Sequence, residues 1–479
     1  MHLNVFSGIL STISRIGHRL RCYPNRTQEQ TLLRWIGCQR FIYNAKVKED
    51  RYFRTFARKA LSLTGQKPPI DQQYSHFIGA DTHWLREVPS QVLRNGAVRW
   101  KQAYSRFFQK LSGRPTLHGK GGEQSVWLTR ELFAFDDDGE GGYHLRIGTK
   151  KHPVGRLRYI ADRPHDRPAS IVIRIHAGQW HVSFATEDPA VYPTPAEIEA
   201  ELAQWSEDAL QAATAGVDRG VAVPAYASDG TAYAFDPMQT QRIERKARQR
   251  QRWQRRMARG CKGSSGWHKA RKRVARTYLY TRNVRKDFAH KTSHALVTTP
   301  GVRIVVMEDL RVANMTRRPK AKVDSRGHHA PNGARAKAGL NKGILHSAWG
   351  QIKTYVQYKA PRNNVLFLTV PAHHSSQECA VCGHVHSDNR LSQSRFVCQR
   401  CGHVDNADHN ASRVIARRGV RVVLDQCQPK PQGVGAVRPE PPSKDGYAGG
   451  DHGKSGLGLA PTPHRSMKPE TMPTTAQAV

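Results

Sequence analysis

The chain has 479 residues and carries 76 Lys and Arg against 38 Asp and Glu, a formal net charge of +38; so large an excess repels itself in the compact state unless a polyanion neutralises it, and nucleic acid is the common one. No stretch reaches the roughly 18 consecutive apolar residues of a membrane span, and the apolar segment 3–13 is short, broken by serines and without a basic leader, so neither a membrane protein nor a secretory signal is expected. Of the eight cysteines, four form two Cys-x2-Cys pairs while Cys22, Cys38, Cys261 and Cys427 stand singly, which suits a reducing cytosol and one metal site and argues against a disulfide framework.

From the N-terminus, residues 19–24 alternate charged and apolar side chains and then meet Pro24-Asn25, the pattern of a short strand and a turn. Leu32, Leu33, Trp35, Ile36, Phe41 and Ile42 recur at helical spacing, with Thr27 as the expected cap. A second helix is predicted over 89–108 with Val92, Val98, Trp100, Ala103, Phe107 and Phe108 as its apolar stripe, and 64–69 reads as loop. Between 125 and 186 the pattern changes to strict alternation, which predicts antiparallel strands in a small barrel or sheet. Residues 187–208 form an acidic island with three prolines and no Lys or Arg, expected to be a linker. Strands resume at 215–226, with Ser228-Asp-Gly230 as a hairpin turn. Residues 241–286 then hold 18 Lys or Arg against one acid, Glu244, as two helical halves broken at the glycines of 260–266. A strand at 302–307, a helix at 344–358 and a strand at 365–370 complete a helix–strand alternation, the mark of an α/β domain. Pro, Gly, Ser and charge dominate from 425 onward, so a disordered tail is expected.

Two knuckles carry the most specific local signal. Cys379-x2-Cys382, fifteen residues, then Cys398-x2-Cys401 is the spacing of a tetrahedral four-cysteine zinc ribbon, and each knuckle ends in Cys-Gly. Four protein ligands leave no open position for water, so this zinc is expected to be structural.

Three acids stand apart along the chain. Asp218 lies in Gly216-Val-Asp-Arg-Gly-Val221, Glu308 closes the apolar run that begins at Val302, and Asp408 lies in Asp405-Asn-Ala-Asp-His-Asn-Ala411 at the expected start of the final helix. A carboxylate at the end of a buried strand is costly unless paired, hydrogen-bonded or bound to a cation. Three converging would hold Mg2+, a hard ion that prefers oxygen, and two such ions suit phosphodiester hydrolysis. Each acid also has a plainer reading: an ion pair of Asp218 with Arg219, a turn cap at Glu308, a helix N-cap at Asp408.

These motifs, taken in order with Ser375-Ser-Gln-Glu-Cys-Ala-Val-Cys-Gly383, resemble the three RuvC motifs and inserted zinc ribbon of transposon-associated TnpB nucleases, a plan shared with compact type V CRISPR effectors. Arg21-Cys-Tyr-Pro24, Arg40-Phe-Ile-Tyr-Asn44 and Gly339-Leu-Asn-Lys-Gly-Ile-Leu345 through Trp349 extend the likeness over about residues 18–418. The resemblance implies an RNA-guided double-strand DNA endonuclease. It would recognise a short adjacent motif, cut both strands with one site, and leave 5′-phosphate and 3′-hydroxyl ends. Two catalytic Mg2+ would be held by Asp218, Glu308 and Asp408, and one structural Zn2+ by Cys379, Cys382, Cys398 and Cys401 close beside the cut. Asp405 competes for the third role, but Asn410 follows Asp408 at the family spacing. The expected partners are guide RNA and double-stranded DNA, with no membrane, in a cytosolic protein that joins the nucleoid when DNA-bound; monomer and asymmetric dimer both remain open. The alternatives are a DNA transposase of RNase H-like chemistry and a nuclease-decayed, RNA-guided DNA-binding regulator.

The basic block supplies the expected nucleic-acid contacts, Arg245, Lys246, Arg252, Arg256, Lys269, Arg273, Arg276 and Arg285, with Trp253, Trp267, Tyr278 and Tyr280 interleaved for stacking. Arg51, Arg54, Arg58 and Lys59 add candidate duplex contacts. The resulting expectation is a bilobed α/β multidomain protein. Residues 1–24 and 113–188 would form a wedge β-barrel around a helical recognition domain at 25–112, followed by the acidic linker 189–212. An RNase H-like RuvC domain would span 213–372, the zinc ribbon 373–403, the third RuvC motif with its helix 404–424, and the tail 425–479.

Overall fold

The computed structural model describes residues 14–427 except 58–62, 64, 66–68, 138–142, 162–163 and 393. The 3–13 segment, the tail beyond 427, Arg58 and Lys59 therefore lie outside the described residues.

A seven-stranded antiparallel sheet forms the N-terminal half. Its strands are β1 (Arg15–Tyr23), β2 (Gln124–Thr129), β3 (Phe133–Asp137), β4 (Tyr143–Gly148), β5 (Pro153–Ile160), β6 (Ser170–His176) and β7 (Gln179–Glu187), in the order β2-β6-β7-β1-β5-β4-β3. The alternation in the sequence is the alternation of faces: Val126, Leu128, Leu145, Ile147, Leu157, Ile171, Ile173 and Val182 share one core. The two edge strands, β2 and β3, are joined by the single turn Arg130–Leu132. The β6–β7 hairpin turns at Ala177 and Gly178, both with positive φ (51° and 75°), the backbone a tight two-residue turn requires.

Two helices are inserted between β1 and β2. Helix α1 (Arg26–Thr55) starts two residues earlier than its composition suggests. Its cap is Asn25, not Thr27: the Gln28 amide donates to Asn25 Oδ1 at 2.9 Å and the Asn25 amide donates to Gln28 Oε1 at 3.0 Å, a reciprocal box. Helix α2 (Ser90–Phe108) packs on α1 so closely that a Cβ at Gly96 would sit 2.7 Å from the Gln39 carbonyl. Leu32, Trp35, Ile36 and Leu93 then close the sheet's core.

The acidic island is not a linker. It folds into α3 (Pro195–Leu202) and α4 (Glu207–Ala212), capped by Thr194 and Ser206. Ile198, Leu202 and Leu210 are buried against the second sheet, while Glu197, Glu207 and Asp208 are exposed, Glu201 pairs with Arg303 at 2.9 Å and the buried Asp188 pairs with Arg362 at 2.9 Å. The apolar i, i+4 pair was hidden by the carboxylates around it.

That second sheet has five strands: β8 (Thr214–Asp218), β9 (Ala225–Ala227), β10 (Ala232–Tyr233), β11 (Ile304–Glu308) and, after a small hairpin of β12 (Lys322–Val323) and β13 (His329–Ala330), β14 (Leu366–Val370). The order is β10-β9-β8-β11-β14, with β8, β11 and β14 parallel and β9 and β10 antiparallel. Every residue of β11 is buried, as expected for a central strand covered on both faces. Ile304 and Val306 face α3, α4 and the last helix. Val305 and Met307 face the helices on the other side, against Phe288, Leu296, Ile352 and Val356.

The basic block forms a helical hairpin, α5 (Pro237–Arg259) and α6 (Ser265–Thr298). The helix expected over 344–358 is two, α7 (Ala334–His346) and α8 (Trp349–Lys359), broken where Ala348 adopts φ +58°. A small hairpin, β15 (Arg395–Val397) with β16 (Val404–Asn406), carries the second cysteine knuckle and leads directly into α9 (Ala407–Cys427). Helix α9 therefore runs past residue 425, the expected start of the tail. Among the described residues no helix is long and apolar enough to cross a membrane.

Candidate active site

Asp218 and Glu308 end adjacent parallel strands. The β8–β11 register pairs Val217 with Met307, so the two carboxylates emerge side by side at the carboxyl edge of the sheet. Asp408 comes from the first turn of α9. Two glycines let that helix approach. A Cβ at Gly216 would lie 2.5 Å from the Ala416 amide nitrogen and closer still to the Ser412 carbonyl, and one at Gly419 would overlap the Val306 side chain. Glycine in the interior of a buried strand is the sequence sign of such backbone proximity.

The three acids feel one another. Burial first, then Glu308, then Asp408, push the Asp218 carboxyl up to about 7. Burial also raises Asp408, with Arg390, 3.4 Å from its Oδ1, pulling the other way. Glu308 is buried, and the Ser375 hydroxyl lies 2.5 Å from its Oε1. Arg219 is itself buried, and burial lowers its pKa while the nearby Glu308, Asp218 and Asp309 carboxylates work against that; its guanidinium donates to the Glu308 backbone carbonyl, while its amide donates to Asp218 Oδ1 at 2.8 Å. The plain reading of Asp218 as the ion-pair partner of Arg219 is thus not what the side chains do. Among the described residues, the group of three or more His, Cys, Asp or Glu placed to hold one metal ion is the four cysteines, whose sulfurs all lie within 4.8 Å of one another. Three carboxylates serving two ions about 3.5–4 Å apart need not converge on one point.

Asp405 belongs elsewhere. Its oxygens face His409 Nδ1 (2.9 Å), His403 Nε2 (3.6 Å) and Arg413 (3.7 Å). Burial works to raise it, but the His409 hydrogen bond and the other cations hold it below its ordinary value. Asp408, not Asp405, is the acid that bears on Asp218.

The loop after Asp218 is held from α7 and α8. Trp349 Nε1 donates to the Gly220 carbonyl at 2.9 Å, and Gly343 clears room for Val221, which a Cβ would meet at 2.7 Å. Residues 339–349 thus carry a motif because they brace the strand end that bears an acid. In the sequence Ser375 stands only as the start of a motif, Arg390 carries no signal, and Arg219 is read only as an ion-pair partner of Asp218. The first two sit near the knuckles, where the cysteines dominate the signal, and nothing in their spacing reveals a partner 67 or 18 residues away.

The four thiols make a compact set. Cys379 Sγ and Cys401 Sγ are 3.7 Å apart, Cys382 Sγ and Cys398 Sγ 3.5 Å, close to the ~3.8 Å edge of a tetrahedron with ~2.3 Å metal–sulfur bonds. The knuckles repeat one geometry: Gly383 (φ +73°) donates to the Cys379 carbonyl and Gly402 (φ +69°) to the Cys398 carbonyl, each at 3.0 Å. At Cys398, burial opposes ionisation, but the amides of Cys401 and Arg400 point at the sulfur and bring its pKa down to about 6. The set fits a tetrahedral metal ion. Cys22 and Cys38, by contrast, are buried single thiols pushed up to about 12 and about 11 by desolvation.

On the basic hairpin, Arg245, Arg252, Arg256, Lys269, Arg273 and Arg276 are exposed and Lys246 partly so. Arg285 is not a free surface cation: it is half-buried and donates to the Leu345 carbonyl at 2.9 Å. The aromatic rings face their own cations. Trp253 lies between Arg273 (4.6 Å) and Arg256 (5.6 Å), Arg250 covers Tyr278 at 4.4 Å and Arg271 covers Trp267 at 5.4 Å. The rings therefore brace a charge array, and stacking on bases would require displacing it. A cleft of about 510 Å3, lined by Arg21, Lys246, Trp253, Arg273 and Arg276, separates the hairpin from β1 and β7. Arg54, expected to face a duplex, is paired with Asp50 at 2.7 Å.

Family models match three segments: one described as a helix-turn-helix domain (HTH_OrfB_IS605) over 14–51, one described as a probable transposase (OrfB_IS605) over 189–318, and one described as the Cas12f1-like TNB domain over 349–415. The first of these segments is here a strand followed by one long helix. The second begins at the acidic island and includes Asp218 and Glu308; the third includes the four cysteines and Asp408. The chain is 29% identical over 405 residues to a protein of Escherichia coli K12 provisionally named RNA-guided DNA endonuclease InsQ, a match covering 84% of this chain and 91% of that one. It is 28% identical over 415 residues to a Streptomyces pristinaespiralis protein of the same provisional designation, covering 84% and 89%. Its fold is similar to that of the protein in a Cas12f1–sgRNA–target DNA complex, with a TM-score of 0.50 at 11% identity over 84% of this chain and 99% of the other. The matched segments follow one another in the order of the acids and knuckles they contain, and over most of its length the chain is similar to these two provisionally named RNA-guided DNA endonucleases.

Proposed function

We propose that this chain is an RNA-guided endonuclease that cuts double-stranded DNA beside a short adjacent motif, using a RuvC-type, RNase H-like site. The reading rests above all on Asp218: a carboxyl pushed up to about 7 by burial first, then by Glu308 and Asp408, at the end of a buried strand is a poor structural residue and a good ligand for a hard divalent ion. Mg2+ bound there would supply an activated water and offset charge on the leaving oxygen. Asp218 and Glu308 would present oxygens from the sheet edge, Asp408 from the helix start, and Arg390 would moderate the local negative charge. The second sheet, with three antiparallel strands followed by two parallel ones, supports the RNase H-like assignment. The seven-stranded sheet with its inserted helices is read as the wedge and recognition domains. The four cysteines would hold one Zn2+ with no open position, as a structural ribbon. A guide RNA would lie against the hairpin cleft and screen part of the +38 charge.

The test is direct. The full chain, purified with its co-expressed RNA, should cut a matched duplex in Mg2+, and Glu308→Gln should abolish cutting while target binding persists. Loss of binding as well would assign Glu308 a structural role. The family description as a probable transposase favours one second reading, strand joining by the same acids. Joined products formed without any co-purified RNA would establish it.

A further inference from the structure

We propose that Ser375 is a positioning residue that fixes the Glu308 carboxylate for divalent-ion binding, and that it does so from a strap anchored to the cysteine ribbon. The proposal rests on the nuclease reading above. Ser375 lies between β14 and the first knuckle, four residues before Cys379. It is 4% exposed, and Glu308 is 6% exposed. The hydroxyl sits 2.5 Å from Glu308 Oε1, the length of a charge-assisted O–H···O⁻ bond. Its other neighbour, the Ala372 carbonyl at 3.1 Å, is an acceptor from its own strap. With Oε1 engaged, the Glu308 side chain loses rotational freedom, and Oε2 remains to face the ion.

The strap is itself held from both directions. His374 adopts φ +58°, and its carbonyl accepts from the amides of Gln377 and Glu378, each at 2.9 Å, so the chain reverses tightly around Ser375. Beyond the turn, Asn410 of α9, fully buried, clamps the strap: its Oδ1 accepts from the Ala380 amide at 2.9 Å and its Nδ2 donates to the Glu378 carbonyl at 2.7 Å. The Glu378 side chain pairs with Arg417 and with Arg418, the latter at 2.5 Å. Residues 375–380 therefore touch Glu308 at one end and, at the other, the helix that carries Asp408. A hydrogen-bonding partner behind a ligating carboxylate sets its orientation and basicity, and removing such a partner costs about 10- to 100-fold in metal affinity or activity.

The experiment compares Ser375→Ala, Ser375→Thr and Glu308→Gln in the full RNA-loaded chain. Two quantities are read: the Mg2+ concentration that half-saturates single-turnover cleavage, and Mn2+ binding to the target-bound complex followed by electron paramagnetic resonance, which is independent of turnover. Ser375→Ala is expected to raise both constants by about 10-fold or more, with the rate at saturating Mg2+ reduced much less and bound zinc unchanged. Ser375→Thr, which keeps the hydroxyl, should restore wild-type ion affinity. Unaltered ion affinity in Ser375→Ala, alongside an inactive Glu308→Gln, would overturn the positioning role and leave the nuclease reading intact. An active Glu308→Gln would remove Glu308 from the ion-binding acids, and absence of any Mg2+-dependent cleavage by the wild-type RNA-loaded chain would overturn the nuclease reading itself. If Ser375→Ala misfolds, a Ser375→Thr variant with weakened ion binding and normal unfolding would equally overturn the proposal.

Discussion

Gly216→Ala is the perturbation that most directly tests how the three acids are brought together. The added methyl would lie 2.5 Å from the Ala416 amide nitrogen, and nearer to the Ser412 carbonyl, both on the backbone of α9. Ordinary contact begins at 3.4 Å, so the helix must retreat by about 1 Å, or β8 must bow by as much. Neither partner is a flexible side chain that can swing aside. Overpacking of a well-filled core costs roughly 1–3 kcal/mol, and two rigid backbones place this case at about 3 kcal/mol. Functionally, Asp408 rides on the retreating helix, and a ~1 Å misplacement of a reacting group costs about 100-fold in rate. Chemical denaturation of the purified chain and single-turnover cleavage of a matched duplex measure the two effects. A Gly216→Ala protein with the wild-type unfolding midpoint and a rate within twofold of wild type would refute the claim that close helix–strand packing builds the site.

Three further outcomes follow from the same geometry. Because Asp218 titrates near 7 in the folded chain and near 3.8 when unfolded, the native state holds a proton that the unfolded chain releases. Without divalent ions, stability should therefore fall as pH rises from about 4 to about 7, by up to about 1.4 kcal/mol per unit. Mg2+ should offset the loss and Asp218→Asn remove the dependence; a flat urea midpoint across that range would contradict it. Cys398→Ser should lower bound zinc, measured by elemental analysis, and loosen the ribbon, because metal binding and local folding are one equilibrium there. Undiminished zinc would mean that Cys398 is not a ligand. Arg276→Ala should weaken RNA binding similarly for different sequences and reduce the slope of log affinity against log salt by about one, the sign of a lost phosphate contact; an unchanged slope would place Arg276 off the nucleic acid.

Much of this protein is legible without coordinates, for local reasons. Strand alternation in 125–186, the broken basic helices and the paired knuckles are all short-range patterns, and each appears in the structure near its expected bounds. The acidic island failed because composition outweighed a two-residue apolar signal: Ile198 and Leu202 are enough to seat a helix when a sheet waits to receive them. The surroundings of Arg285 and of the hairpin aromatics were not legible for another reason. A cation's role depends on what faces it, and the Leu345 carbonyl lies 60 residues away.

What the sequence by itself determined is the inventory: three separated acids, four cysteines at metal-binding spacing, and a charge excess that demands a polyanion. The family spacing to Asn410 favours Asp408 over Asp405, and the tertiary structure adds the physical reason: Asp408's charge bears on Asp218, while Asp405 turns to His409, His403 and Arg413. Tertiary structure alone decided that Ser375 reaches Glu308. Parallel strand register and the glycine-permitted approach of α9 set those distances, and both are contacts between segments that no local pattern records.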